Sequence, residues 1–133
     1  MYHVLLAVDE TESRAMAQVN AVVDLPEASS EVQATLLYCF TDNPSGGSAL
    51  QVGGIRRAKE VLDDAGIETN IVESSGDPAD VILDVAEERG VDCVCVGGRR
   101  RSPAGKALFG SVSQSVILNA DRPVLVAGAK HAE

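Results

Sequence analysis

The segment from Gly97 to Ser113 holds the densest set of groups suited to binding an anion. It reads Gly97-Gly98-Arg99-Arg100-Arg101-Ser102-Pro103-Ala104-Gly105-Lys106-Ala107-Leu108-Phe109-Gly110-Ser111-Val112-Ser113. Arg99, Arg100, Arg101 and Lys106 place four of the chain's eleven lysine and arginine residues within eight positions. Glycine lets backbone N–H groups approach an anion with no Cβ in the way. Gly110-Ser111 stands just before an apolar-periodic helix, whose free N–H groups and positive dipole end favour a phosphate. Ser111 and Ser113 add hydroxyl donors. The plainer reading of the same residues is a solvated arginine loop followed by an ordinary helix N-cap. Gly105-Lys106 is not the end of a Walker A loop. That motif needs glycine at position 100 and Ser or Thr at 107, where this chain has Arg100 and Ala107.

The remaining chemistry-bearing residues offer less. Asp9 ends an apolar run, where it can orient a ribose, hold Mg²⁺ through water, or simply cap a helix. Cys93 and Cys95 alternate with Val94, so both face one side of a strand, and they read as small core hydrophobes. No second Cys or His pair has metal-ligand spacing. Cys39 reads in the same way. His3 and His131 have no Ser or Cys partner at a recognisable spacing, so no nucleophile–base pair is visible. Asp63-Asp64, Glu87-Glu88 and Arg56-Arg57 read as solvated helix faces.

These residues need a scaffold, and composition bounds it. A chain of 133 residues that is 45% hydrophobic suits one domain, spanning 1–133, with a core that needs no disulfide or metal. Three cysteines, an odd number, argue against a disulfide framework and fit a reducing cytoplasm. Met1-Tyr2-His3 leads straight into a strand without a basic n-region, so secretion is not expected. The formal charge of −9 disfavours nucleic acid and anionic membrane as partners. Such a lysine-poor acidic composition is shared by proteins of high-salt cytoplasm and by ordinary acidic proteins.

Hydrophobic patterning alternates short β-branched runs with amphipathic stretches. It predicts strands over 3–8, 32–40, 67–72, 91–96 and 124–127. It predicts helices over 12–24, 49–65, 78–90 and 110–120, with Asp77 capping the third, Pro78 at its first position and Gly66 ending the second. The first helix turns Ala15, Val19, Val22 and Val23 inward, and the third turns Val81, Ile82, Val85 and Ala86. A long turn is expected from Gly97 to Phe109. Strands separated by helices run parallel, with helices on both faces. Ligands of such sheets bind outside the carboxyl ends of the strands. That rule selects the Asp9 loop, the loop from Phe40 to Ser48, the turn from Ser74 to Asp77, and the glycine–arginine segment.

The chain resembles the universal stress protein family, of the small single-domain kind. The resemblance rests on Val4-Leu5-Leu6-Ala7-Val8-Asp9, Gly76-Asp77-Pro78-Ala79, Val96-Gly97, Gly110-Ser111-Val112 and Asp121-Arg122-Pro123-Val124-Leu125-Val126. The ATP-binding branch of that family carries Gly, two residues, Gly, nine residues, then Gly-Ser or Gly-Thr. Gly97, Gly110 and Ser111 keep this spacing, while Arg100 replaces the middle glycine. The resemblance implies a three-layer α/β/α, Rossmann-like fold with a five-stranded parallel sheet in order 3-2-1-4-5. It implies ATP or another adenine nucleotide at the carboxyl edge, with Mg²⁺ or Mn²⁺. The phosphates would meet Gly97, Gly110, Ser111 and Val112; residue chemistry alone adds Gly98, Arg99, Arg100 and Ser113 of the same segment to the candidate nucleotide-binding set. The ribose and metal would lie near Asp9, with Ala7 and Val8 before it counted among the nucleotide-binding residues, and the adenine around Cys39 and Phe40. It also implies a homodimer through the last strand, Val124 to Ala127.

Three functions follow from this reading. The first is a nucleotide-binding regulatory module of the stress response, its ligand held by the Gly97 to Val112 loop and its protein partner unknown. The second is a dimeric interaction protein that excludes nucleotide because Arg100 fills the cleft. The third is a slow ATPase. Hydrolysis needs a positioned base or a metal-held water. Apart from Asp9, the cleft loops offer only Asp42 and Asp77, so binding is preferred over turnover.

Overall fold

The computed structural model describes residues 1–8, 12–40, 53–98 and 111–128. In chain order the elements are β1 (Tyr2–Val8), α1 (Glu12–Val23), α2 (Ala28–Glu31), β2 (Val32–Phe40), α3 (Gly53–Asp64), β3 (Glu68–Ser75), α4 (Pro78–Arg89), β4 (Cys93–Gly98), α5 (Ser111–Asn119) and β5 (Val124–Gly128). The five strands form one parallel sheet in the order β3-β2-β1-β4-β5, as expected.

Strand alternation divides the core in two. Val4, Leu6, Val8, Cys93 and Cys95 face one side with Ala34 and Leu36, under Ala15, Val19 and Val22 of α1 and Ile55, Ala58 and Leu62 of α3. Leu5, Leu37, Val94 and Val96 face the other side, under Ile82, Val85 and Ala86 of α4 and Val116 of α5. Because the inner strands are covered on both faces, they tolerate almost no polar residue, which is why their sequence is nearly continuous in apolar types. Leu5, Leu6, Leu36, Leu37, Ile55 and Leu62 are wholly buried, and each contributes about 1.5–3 kcal/mol through burial. Val23 and Val81, expected in the core, are only partly buried at its margin.

The helix ends follow local chemistry. Asp77 accepts a hydrogen bond from the Asp80 N–H at 3.2 Å, with Pro78 opening α4 behind it. Gly90 closes α4 in the left-handed region at φ 59°, and Gly66 closes α3 at φ 77°. There the N–H of Ile67 reaches Leu62 O at 3.0 Å, the 6→1 bond of a Schellman turn. Arg122 completes the α4 terminus. Its Nη1 donates to Ala86 O at 2.9 Å and Val91 O at 2.8 Å, and its Nη2 to Glu87 at 2.8 Å.

Three boundaries depart from expectation. The four-residue helix α2 was not foreseen. β3 runs on to Ser75, beyond 72, because as an edge strand it pairs with β2 as far as Phe40↔Ser75 and needs no second buried face. β4 runs from 93 to 98 rather than from 91 to 96. Gly97 and Gly98 are therefore strand residues and not the start of a turn, paired with Ala127 and Gly128. A ladder is made by the backbone, so missing side chains weaken it without ending it.

Candidate functional site

Every described residue expected in the site lies at the carboxyl edge of the sheet. Ala7 and Val8 end β1, Cys39 and Phe40 end β2, Gly97 and Gly98 end β4, and Ser111, Val112 and Ser113 open α5. Asp9, Arg99, Arg100 and Gly110 lie outside the described residues, and so do Arg101 and Lys106. Among the described residues no three His, Cys, Asp or Glu side chains are grouped to hold a metal ion. The metal expectation falls on Asp9 alone.

The sheet splits at this edge. The β1–β4 ladder stops at Leu6↔Cys95. Each strand then stays with its outer neighbour, β1 with β2 as far as Val8↔Tyr38 and β4 with β5 as far as Gly98↔Gly128. β1 and β4 are where the strand order reverses, so the opening falls at the topological switch point.

Beside the opening, α5 presents the N–H groups of its first turn, which have no partner within the helix. Ser113 holds that turn in place: its hydroxyl donates to Gly97 O at 2.9 Å. That proton, foreseen as a phosphate donor, is committed to the backbone. Ser111 is exposed and Val112 partly buried. The β2 side is walled by Cys39, whose thiol donates to Gly76 O at 3.5 Å. Burial first, and the Asp77 charge second, push its pKa above the ordinary 9.0. The thiol is therefore kept neutral.

The other thiols are structural. Cys93 and Cys95 both face the α1 side, as their spacing requires. Burial raises both, and Cys95 is pushed up to about 12. His3, far from the edge, has a partner that the sequence hid, since Nε2 is hydrogen-bonded to Thr35 Oγ1 at 2.7 Å. Asp63, Asp64, Glu87, Glu88, Arg56 and Arg57 are exposed helix residues, as read.

Two residues of α1 near the opening were missed. Gln18 is buried and donates to Ala7 O at 2.8 Å and Cys95 O at 3.2 Å. The signal was available: position 18 falls on the inward stripe of Ala15, Val19 and Val22, where a polar residue must find partners. Arg14 lays its stem over Gly97, and a Cβ built on that glycine would stand 3.5–3.7 Å from Arg14 Cβ, Cγ and Cδ. A lone arginine in a first helical turn carries no such signal.

Comparison with known proteins agrees with this architecture. The chain matches the model of the universal stress protein family over residues 1–128. It is 33% identical over 73 residues to a universal stress protein of Methanocaldococcus jannaschii, covering 55% of this chain and 45% of that one. It is 35% identical over 72 residues to a universal stress protein of Bacillus subtilis, covering 54% and 49%. The matched stretch thus spans about half the length of these curated relatives. Among solved structures, a universal stress protein of Archaeoglobus fulgidus superposes with a TM-score of 0.70 at 27% identity, covering 96% of this chain and 98% of that one. One solved in complex with cAMP gives 0.72 at 21% identity, covering 97% and 98%. An Arabidopsis thaliana family member with AMP bound gives 0.73 at 17%, covering 98% and 93%. The order of the strands, the opening at the switch point and the match across 1–128 lead to one conclusion: this chain belongs to the universal stress protein family.

Proposed function

We propose that this protein is an adenine-nucleotide-binding regulatory module of the stress response, acting in the cytoplasm as one domain over 1–133. The observation that carries the reading is the split between β1 and β4, with the first turn of α5 tied beside it through Ser113 and Gly97. A nucleotide laid across the split meets groups of the right kind along its length. Backbone N–H groups at Gly98, Gly110, Ser111 and Val112 take the phosphates, and Arg99 and Arg100 add charge. Asp9, following Ala7 and Val8, takes the ribose and a Mg²⁺ or Mn²⁺ ion shared with the phosphates. Cys39 and Phe40 take the adenine. The solved relatives with AMP and cAMP support this class of ligand. ATP is the form that the arginines favour, because its added phosphates have charge to meet.

The chain offers little for turnover, and Ser113 spends its proton on the backbone. Binding is therefore the function and hydrolysis at most a slow side reaction. The module acts as a homodimer through β5, an edge strand whose Val126 is 38% exposed, beside α5 with Leu118 at 74%. One departure favours a second reading. Arg100, standing where the family motif has glycine, can instead fill the cleft and leave a dimeric interaction protein without nucleotide.

Thermal unfolding with increasing ATP and Mg²⁺ separates the two. Ligand at a hundred times its dissociation constant stabilises by about 2.7 kcal/mol, and a melting temperature unmoved by millimolar ATP rejects the nucleotide reading. Arg100→Gly should weaken ATP several-fold as a phosphate partner is lost; tighter binding would identify the arginine as an obstruction.

A further inference from the structure

Gln18 occupies the inward face of α1 among Ala15, Val19 and Val22, and is 1% exposed. A buried amide persists only when its polar atoms are paired. Its Nε2 donates to Ala7 O and to Cys95 O, at 2.8 and 3.2 Å. These carbonyls belong to the two strands that part company: Cys95 is in the last rung of the ladder, Leu6↔Cys95, and Ala7 is the first residue of β1 beyond it. One side chain therefore spans the split at its root. One helical turn earlier, Arg14 covers Gly97, the next residue of β4 on the same face as Cys95. Side chains four apart on α1 thus meet residues two apart on β4, and α1 lies along the inner lip of the opening.

We infer that Gln18 is a positioning residue for the nucleotide site: by holding the Ala7 and Cys95 carbonyls on one amide, it sets the distance between the two lips of the cleft. One lip leads to Val8 and Asp9, and the other to Gly97 and Gly98. Gln18 itself touches no ligand. The inference rests on the nucleotide reading above. A ligand that bridges both lips is sensitive to their spacing, whereas the sheet below, paired in full through Leu6, is not. Supporting groups of this kind typically change ligand affinity about ten- to a hundredfold when removed.

The test compares wild type, Gln18→Met, Gln18→Leu and Val22→Ala. Met and Leu fill a similar volume without donors. Val22 lies one turn farther along the same buried stripe and makes no side-chain hydrogen bond, so its truncation reports what a purely structural defect in α1 does. Calorimetry measures AMP and ATP–Mg²⁺ affinity, and melting temperature is recorded alongside. All three variants should melt lower, while only the Gln18 variants lose affinity, about tenfold or more. Without ligand, the backbone amide resonances of Val8 and Gly97 should shift in the Gln18 variants and stay in place in Val22→Ala. Wild type that binds no nucleotide overturns the nucleotide reading and this inference with it. Wild type that binds, with affinity retained in Gln18→Met and Gln18→Leu, overturns the inference alone. So does an affinity loss in Val22→Ala that matches theirs.

Discussion

Ser111 and Ser113 stand two positions apart in one helical turn and do different work. The Ser113 hydroxyl is spent on Gly97 O at 2.9 Å, while Ser111 is exposed at the helix start. Ser111→Ala should cost phosphate affinity on the order of 1 kcal/mol, roughly fivefold, with little change in melting temperature; a loss of stability at unchanged affinity would make it only a cap. The three thiols separate in the same way by environment. The thiolate is the reactive form, and burial suppresses it at Cys93 and most strongly at Cys95, pushed up to about 12. Cys39 is partly exposed. Native protein at pH 8 should therefore take up one equivalent of iodoacetamide, slowly, at Cys39. Saturating AMP should slow it further, and Cys39→Ser should abolish it. Mass spectrometry of the labelled peptides decides each point.

At the scale of elements, the carboxyl end of α4 shows how one side chain can replace several local signals. Gly90 turns the chain, but the orphan carbonyls of the last turn need donors. Arg122 reaches back across 36 residues to Ala86 O and also bonds Val91 O, with its side chain only 17% exposed. Arg122→Ala should destabilise by about 2–3 kcal/mol, because charged donors are lost and Val91 O is left dry. Glu87→Gln, which breaks only the ion pair to a 73% exposed carboxylate, should cost under about 1 kcal/mol. Urea unfolding of the two variants measures the contrast. Equal costs would place the stabilisation in the ion pair and not in the cap.

Across the whole molecule, the two edges of the sheet differ. The carboxyl edge opens between β1 and β4, and the amino edge is sealed there by polar pairing. Asp92 accepts from the His3 N–H at 2.9 Å, and its own N–H donates to His3 O at 2.8 Å. The His3 ring meets Thr35 beside them. Burial chiefly, and then the Arg89 charge, lower the His3 pKa below its ordinary 6.5, against an opposing pull from Asp92. The folded state thus favours the neutral ring, and the unfolded chain binds the proton first. Stability from this group is complete above about pH 6.5 and is lost as pH falls towards the folded pKa. His3→Gln should flatten the fall in urea midpoint between pH 7 and pH 5. An unchanged slope would assign that fall wholly to other groups.

The sequence by itself determined the layers, the strand order through its family signature, and the helix ends at Asp77, Pro78 and Gly66. These depend on periodicity and on short-range backbone chemistry, which neighbouring residues carry. It also pointed to the carboxyl edge at Gly97 and at Ser111 to Ser113 as the candidate site, since a rule of topology places ligands at strand ends. Only the tertiary structure decided that Gly97 and Gly98 are paired strand residues, that Ser113 donates to Gly97, that Arg122 caps a helix 36 positions away, and that Gln18 holds two parting strands. Each of these is a contact between segments distant in the chain. No local pattern encodes such a partner; it exists only once the sheet has brought the segments together.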